Sequence, residues 1–213
     1  MKAILNGPDN PKACYVFAHG AGAGMRHPFM TEVAKGLAQR GIATMRYEFP
    51  YMERGSKRVD SPVVAQASVR SACREAAKRF AGVPIFAGGK SFGGRMTSQA
   101  QAESPLDGVR GLIFLGFPLH PPGKPSNDRA GHLSEVKIPM LFLQGMRDDL
   151  AQLALLQPLI DKLGDVATLE LFEHADHSFH VPAKSGRNDA EVRAAMLDAM
   201  AGWIAGKLPP TRP

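Results

Sequence analysis

Apolar positions along this chain follow two rhythms that take turns. Short, nearly unbroken apolar runs appear at Ala13–Gly20 ("ACYVFAHG"), Ala43–Phe49, Val83–Gly89, Val109–Pro118 ("VRGLIFLGFP"), Pro139–Gly145 and Ala167–Ala175. Between them lie longer stretches with helical spacing: Pro28–Gly41, Val63–Gly82 opened by Pro62, Phe92–Glu103, Leu150–Gly164 and the closing amphipathic segment Asp189–Leu208. Proline at a helix start and glycine just past its end match the asymmetry of helix termini. Pro158 falls inside the fourth helical stretch, where it predicts a kink or the true start of the helix. Runs without polar alternation belong to strands buried on both faces. Joined through helices, they predict an α/β fold: a doubly wound, mostly parallel sheet flanked by helices. With no internal repeat and no dividing linker, residues 1–213 read as one domain. The longest loops, after Phe49 and after Pro118, are too short to form a separate cap domain.

Composition narrows the setting. Apolar residues make up 44% and charged residues 22%, ordinary values for a globular protein. The 2 cysteines, Cys14 and Cys73, are no disulfide framework, and "MKAILNGPDNP" has too short an apolar stretch for a signal peptide. No run approaches the roughly 18 apolar residues that cross a bilayer. The expectation is a cytoplasmic protein with no membrane partner. The net charge of +6 raises the question of nucleic acid. The basic residues are scattered, however, and the densest cluster, "RGSKR", sits between Glu53 and Asp60. With 3 Tyr and 1 Trp, stacking platforms do not interleave with the basic residues. A solvated basic surface is the better reading, with no nucleic-acid partner.

Three glycine motifs compete for the chemistry. Gly89-Lys90-Ser91 ends like a phosphate-binding loop, but G-x-x-x-x-G-K-[ST] requires glycine where Pro84 stands. "HGAGAGM" nearly spells the dinucleotide fingerprint, yet one register meets Met25 and the other His27 where the third glycine belongs. A nucleotide-binding protein would need these motifs to work despite Pro84 and Met25, so it stands only as an alternative, and no cofactor is expected. Gly89-Lys90-Ser91-Phe92-Gly93 fits G-x-S-x-G without adjustment, between a buried strand and a helix. That turn exposes a serine and tolerates only small residues two positions to either side, which Gly89 and Gly93 provide.

A serine hydroxyl is a weak nucleophile at neutral pH and needs a base, itself oriented by an acid. In such folds the acid and then the base follow the serine, each just past the C-terminal end of a strand. "PMLFLQGMRDD" offers Asp148 past Gly145, with Asp149 as an alternative; "ATLELFEHADHSFH" offers His177. Asp176, adjacent to His177, reads as a turn residue. His174, His177 and His180 match no zinc spacing, so no metal is expected, and His174 and His180 read as loop-packing residues. Oxyanion donors would be the backbone N–H of Phe92 and, from "HGAGAG", that of Ala21 or Gly22. His19 reads as a hydrogen-bonder shaping that loop.

"AHGAGAG", "GGKSFGGRM", "LFLQGMRDD" and "HADHSF", in that order over nearly the whole chain, resemble the motifs of the α/β-hydrolase superfamily. Size, the missing cap, "RYEFPYM" and "FPLHPPGKP" make the chain similar to small predicted hydrolases related to dienelactone hydrolase. The resemblance implies a Ser91–His177–Asp148 triad and a cofactor-independent acyl-enzyme mechanism on a small ester or thioester. Dienelactone hydrolase itself uses cysteine where Ser91 stands, so its lactone substrate is not carried over. A non-catalytic binding protein retaining this fold is the alternative, and it would be expected to lose a triad member. The rim loops "GMRHPFM", "PYMERGSKR", "PLHPPGKPS" and "MRDDL" carry Arg26, Arg54, Lys57, Arg58, Lys124 and Arg147, a weak bias toward anionic substrates against Glu53, Asp148 and Asp149. Phe92, Phe117, Met146 and Phe179 are candidate acyl-pocket walls for which core packing is the commoner role.

Overall fold

The computed structural model describes residues 2–209. A seven-stranded sheet runs in the order β1-β3-β2-β4-β5-β6-β7. Its strands are β1 (Ala3–Asn6), β2 (Ala13–Ala18), β3 (Ile42–Tyr47), β4 (Ile85–Lys90), β5 (Val109–Leu115), β6 (Met140–Gly145) and β7 (Ala167–Phe172). All neighbouring pairs are parallel except β1 with β3. The connecting helices are α1 (Pro28–Gln39), α2 (Pro50–Glu53), α3 (Pro62–Arg79), α4 (Phe92–Glu103), α5 (Leu153–Leu163) and α6 (Asp189–Ala205).

The apolar runs predict strands covered on both sides, and successive strand residues do bury into opposite layers. Tyr15 and Phe17 of β2 join the cluster formed with Met30, Val33 and Leu37 of α1 and Val192, Met196 and Met200 of α6. Cys14 and Val16, one residue out of phase, join Val69 and Cys73 of α3, Met96 of α4 and Leu156 of α5. A period of two along the strand thus feeds two separate cores. The four-residue spacing of Val192, Met196, Met200 and Ile204 supplies one buried stripe of α6.

Three local features depart from the sequence reading. β1 was not anticipated; four residues carry too little periodicity, and its antiparallel register with β3 is a tertiary fact. The loop after Phe49 holds the single turn α2, opened by Pro50, and the long loop after Pro118 holds a 3-10 turn at Gly131–Glu135. Pro158 does not start α5, which begins at Leu153; the proline sits inside the helix, leaving one backbone donor missing.

β2 lies between β3 and β4, so consecutive crossovers leave it in opposite directions. This reversal of strand order opens a crevice beyond the carboxyl ends of β2 and β4. The loop Gly20–Met25 and the turn at Ser91 both begin there.

Candidate active site

Ser91 stands between β4 and α4 with φ 49 and ψ −114, a left-handed conformation that costs a non-glycine residue strain. Its amide is anchored to the Leu115 carbonyl at 3.1 Å, and its carbonyl accepts from Arg95 N at 3.1 Å in the first turn of α4. The glycines around it are sterically required. A Cβ on Gly93 would lie 2.6 Å from the His19 oxygen, and one on Gly94 would lie 2.8 Å from the Gly89 oxygen. On Gly89 it would collide with the Ala18 backbone. The strand, turn and helix therefore pack at a separation only glycine permits.

Ser91 Oγ lies 2.9 Å from His177 Nε2, and His177 Nδ1 lies 2.7 Å from Asp148 Oδ2. With the proton on Nδ1, the ring donates to Asp148 and presents an acceptor to the serine hydroxyl. Asp148 is only 3% exposed, so its charge needs partners. It accepts from His177, from Leu150 N at 2.8 Å and from the Gln144 side-chain amide. Gln144 is itself fixed, because its Oε1 accepts from Phe117 N at 2.9 Å.

The loops after β6 and β7 are stitched together: Met146 N donates to Phe172 O at 3.1 Å and Arg147 N to Ala175 O at 2.8 Å. That close passage explains Gly145, where a Cβ would lie 2.5 Å from the Asp176 oxygen. Asp176 closes the turn beyond His177 by accepting from Ser178 N at 2.7 Å and His180 N at 3.0 Å. Farther along, His180 pairs with Asp189 at the start of α6 at 2.9 Å. The hydrogen bond it donates to Asp189 raises His180 above its ordinary pKa, and the same bond lowers Asp189.

The loop after β2 is shaped by His19, which is fully buried. Burial lowers its pKa against the opposing pull of the Gly20 carbonyl and Glu48, keeping the ring neutral. Nδ1 then donates to Gly20 O at 2.8 Å and Nε2 accepts from Phe49 N at 3.1 Å. Glu48 holds the far end by accepting from Met25 N at 3.1 Å. Of the two expected amides in this loop, that of Gly22 donates to Tyr51 Oη at 3.3 Å. Ala21, by contrast, lines the cavity beside Ser91. Phe92 is the first residue of α4, so helix geometry gives its N–H no partner within the helix. The positive end of that helix faces the same crevice.

The cavity at Ser91 has a volume of about 450 Å³. Its floor carries Ser91, His177 and Lys90, and its walls are His27, Phe29, Met30 and Leu150. The walls therefore come chiefly from the entrance of α1. Of the four candidate walls, three take the core role instead. Phe92, Phe117 and Phe179 are core residues, with Phe92 against Phe49 and Phe117 against Phe142, and Met146 is 45% exposed away from the cavity. None of the six expected basic rim residues lines it. Arg54 pairs with Asp60 at 2.6 Å and Arg147 donates to His174 O at 3.3 Å.

Of the expected rim loops, "GMRHPFM" does reach the cavity, through His27, Phe29 and Met30, whereas Lys90 has no role in the sequence reading. Lys90 occupies the unspecified position of G-x-S-x-G, and strand alternation from Phe86 points it to the α1 side of the sheet. Burial pulls its pKa down to about 8, with Asp148 and Asp176 opposing. Asp149 is exposed and does not approach His177; Asp148 is the carboxylate that does. His174, His177 and His180 do not converge, and among the described residues no group of three or more His, Cys, Asp or Glu is gathered to hold a metal. Nor is any described helix long and apolar enough to cross a membrane.

The model of the alpha/beta hydrolase domain family matches residues 11–205 of this chain. Among solved structures, a dienelactone hydrolase from Anabaena variabilis superposes with a TM-score of 0.77 at 21% identity, covering 97% of this chain and 92% of that one. An alpha-beta serine hydrolase homologue from Coxiella burnetii gives 0.74 at 19% identity, covering 92% and 90%. A serine hydrolase without lid from Xanthomonas campestris gives 0.73 at 19% identity, covering 99% and 90%. At these identities the likeness is one of fold. The family match itself spans most of the sequence, and the chain belongs to the α/β-hydrolase family.

Proposed function

We propose that this member of the α/β-hydrolase family is a serine hydrolase that cleaves carboxylic esters or thioesters of small substrates through an acyl-enzyme. The observation that carries the reading is the unbroken relay from Ser91 Oγ to His177 Nε2 at 2.9 Å and from His177 Nδ1 to Asp148 at 2.7 Å, with the serine on a strained turn. In this reading His177 takes the Oγ proton as the oxygen attacks the carbonyl carbon. Asp148 holds the ring in the required tautomer and stabilises the imidazolium. The carbonyl oxygen becomes an oxyanion received by the amides of Phe92 and Ala21. Ala21 is preferred to Gly22 because the Gly22 amide is engaged by Tyr51. Collapse expels the alcohol or thiol, which leaves with the proton from His177. Water, deprotonated by the same ring, attacks the acyl-enzyme; the acid departs and the proton returns to Ser91.

The cavity favours a short or medium acyl group. Its volume of about 450 Å³, with Phe29, Met30 and Leu150 as apolar surfaces, is of the size that takes small ligands. The reading is tested with a fluorophosphonate probe on wild type, Ser91→Ala and His177→Ala, followed by peptide mapping. The expected result is one adduct on Ser91 in wild type and none in either variant. A folded wild-type protein that takes no label would overturn it. A graded series of 4-nitrophenyl esters and acyl thioesters then separates ester from thioester preference and sets the acyl length.

A further inference from the structure

Lys90 is an expensive residue in an unusual place. It ends β4, immediately before Ser91, and its side chain crosses beneath the loop that carries His177. Its Nζ donates to the His177 backbone oxygen at 2.6 Å and lies 5.7 Å from the centre of the Phe179 ring. No carboxylate lies within ion-pair distance of it among the described residues. Burial disfavours the charge, which is why its pKa falls to about 8 even with Asp148 and Asp176 pulling the other way. Methionine would fill the same space without that cost.

The neighbours are arranged around the ammonium. Gly116 has φ +68, and a Cβ there would lie 2.8 Å from Lys90 Nζ and 3.3 Å from both Cε1 and Nδ1 of His177. One small residue thus clears room for the lysine head and the back of the imidazole together. The turn around His177 contains two non-glycine residues at positive φ, His174 at 61 and Phe179 at 64. Asp176 N donates to His180 O at 3.0 Å and Phe179 N to Asp176 O at 3.0 Å, bonds that tie the turn to itself, and Arg147 N donates to Ala175 O at 2.8 Å, which ties it to the loop after β6. Lys90 ties the carbonyl of His177 to the strand bearing the serine.

We propose that Lys90 is a positioning residue for His177: by gripping its carbonyl from the end of β4, the ammonium fixes the imidazole relative to Ser91. The proposal rests on the functional reading of Ser91 and His177 given above. Its consequence is that nucleophile and base are registered against one rigid element, and the alignment does not depend on the β7 loop alone. A displacement of about 1 Å at such a contact can cost about 100-fold in rate.

The test compares wild type, Lys90→Met and Ser91→Ala. Lys90→Met is expected to melt no lower than wild type at pH 7, because it removes a partly buried charge that has no ion-pair partner among the described residues. Its kcat on a 4-nitrophenyl ester should fall about 10- to 100-fold with KM within about threefold, and its fluorophosphonate labelling rate should fall by the same factor. A purely structural lysine would lower the melting temperature and leave the kcat of the folded fraction unchanged. A substrate-binding lysine would raise KM. Either outcome overturns the proposal, as does a folded Lys90→Met with wild-type kcat. Should Lys90→Met fail to fold, Lys90→Leu, which likewise has no N–H donor, is read by the same criteria. Absence of labelling in wild type would instead sink the functional reading, so the two failures are told apart.

Discussion

Replacing Ser91 by glycine and by alanine should separate the strain of the turn from its chemistry. Both substitutions remove the hydroxyl and its bond to His177 Nε2 at 2.9 Å, so that loss cancels between them. What differs is the backbone. Alanine keeps a Cβ at φ 49 and ψ −114, whereas glycine occupies this region freely. A side chain held there costs about 1–3 kcal/mol. Glycine gives back about 0.4–1 kcal/mol through the greater freedom of its unfolded chain. The balance leaves Ser91→Gly more stable than Ser91→Ala by about 1 kcal/mol. For a chain of this length, that corresponds to roughly 2–4 °C in melting temperature. Calorimetry at neutral pH, backed by urea unfolding, measures the difference. An internal control is Ser68, within α3, where Ser68→Gly should be less stable than Ser68→Ala by about 1 kcal/mol. The sign must therefore reverse between the two sites. A Ser91→Gly protein no more stable than Ser91→Ala would refute the strain argument, whatever the fate of activity.

Three further outcomes follow from the same geometry. Asp148→Asn should lower kcat by about 10,000-fold, by favouring the wrong tautomer of His177, while Asp149→Asn at the exposed neighbour should leave ester turnover within about twofold. Gly116→Ala should cost about 1–3 kcal/mol by urea unfolding and also slow turnover, because its methyl meets Lys90 Nζ at 2.8 Å as well as the His177 ring. The His180–Asp189 pair gives the His177 loop a pH dependence. The raised His180 contributes fully below about 6.5, its unfolded value, and loses that contribution as pH rises through its higher folded value. The lowered Asp189 contributes above about 3.9 and loses it only as pH falls through its depressed folded value. Amide exchange at Val181, corrected for intrinsic rates, should therefore be slower at pH 6 than at pH 9, and His180→Ala should remove the difference.

Much of this molecule was legible because its strands are buried on both faces. "ACYVFA" and "LIFL" show no alternation, which is the pattern of a sheet covered by two helical layers. Ser91, Asp148 and His177 were legible for a related reason: parallel strands all deliver their loops to one edge, so order along the chain becomes proximity in space. What stayed hidden depends on distance between segments remote in sequence. β1 exists because Asn6 meets Thr44 and Ala3 meets Tyr47, pairings that four residues cannot announce. Which of Asp148 and Asp149 meets His177, and that Tyr51 reaches the Gly22 amide, are likewise contacts between segments the sequence does not relate. The aromatic residues expected to wall the pocket were absorbed by the two cores. Hydrophobicity marks a residue for burial but does not say against what. Lys90 fills the unspecified position of its motif, and only its contact with the His177 carbonyl, 87 residues away in sequence, sets it apart.

The cavity walls and the hydrogen-bonded relay draw on different parts of the chain. His27, Phe29 and Met30 enter from the start of α1, while Ser91, Asp148 and His177 hang from β4, β6 and β7. α1 begins with Pro28, which needs no amide partner in the first turn, and His27 caps it by accepting from Phe29 N at 3.3 Å. Residue 27 can therefore change at the cost of one cap bond, whereas Phe29, stacked on Phe179, and Met30, buried in the core, change only with their neighbours. In heritable terms the wall and the relay are separate: three codons within a four-residue stretch reshape the wall while every strand end keeps its sequence.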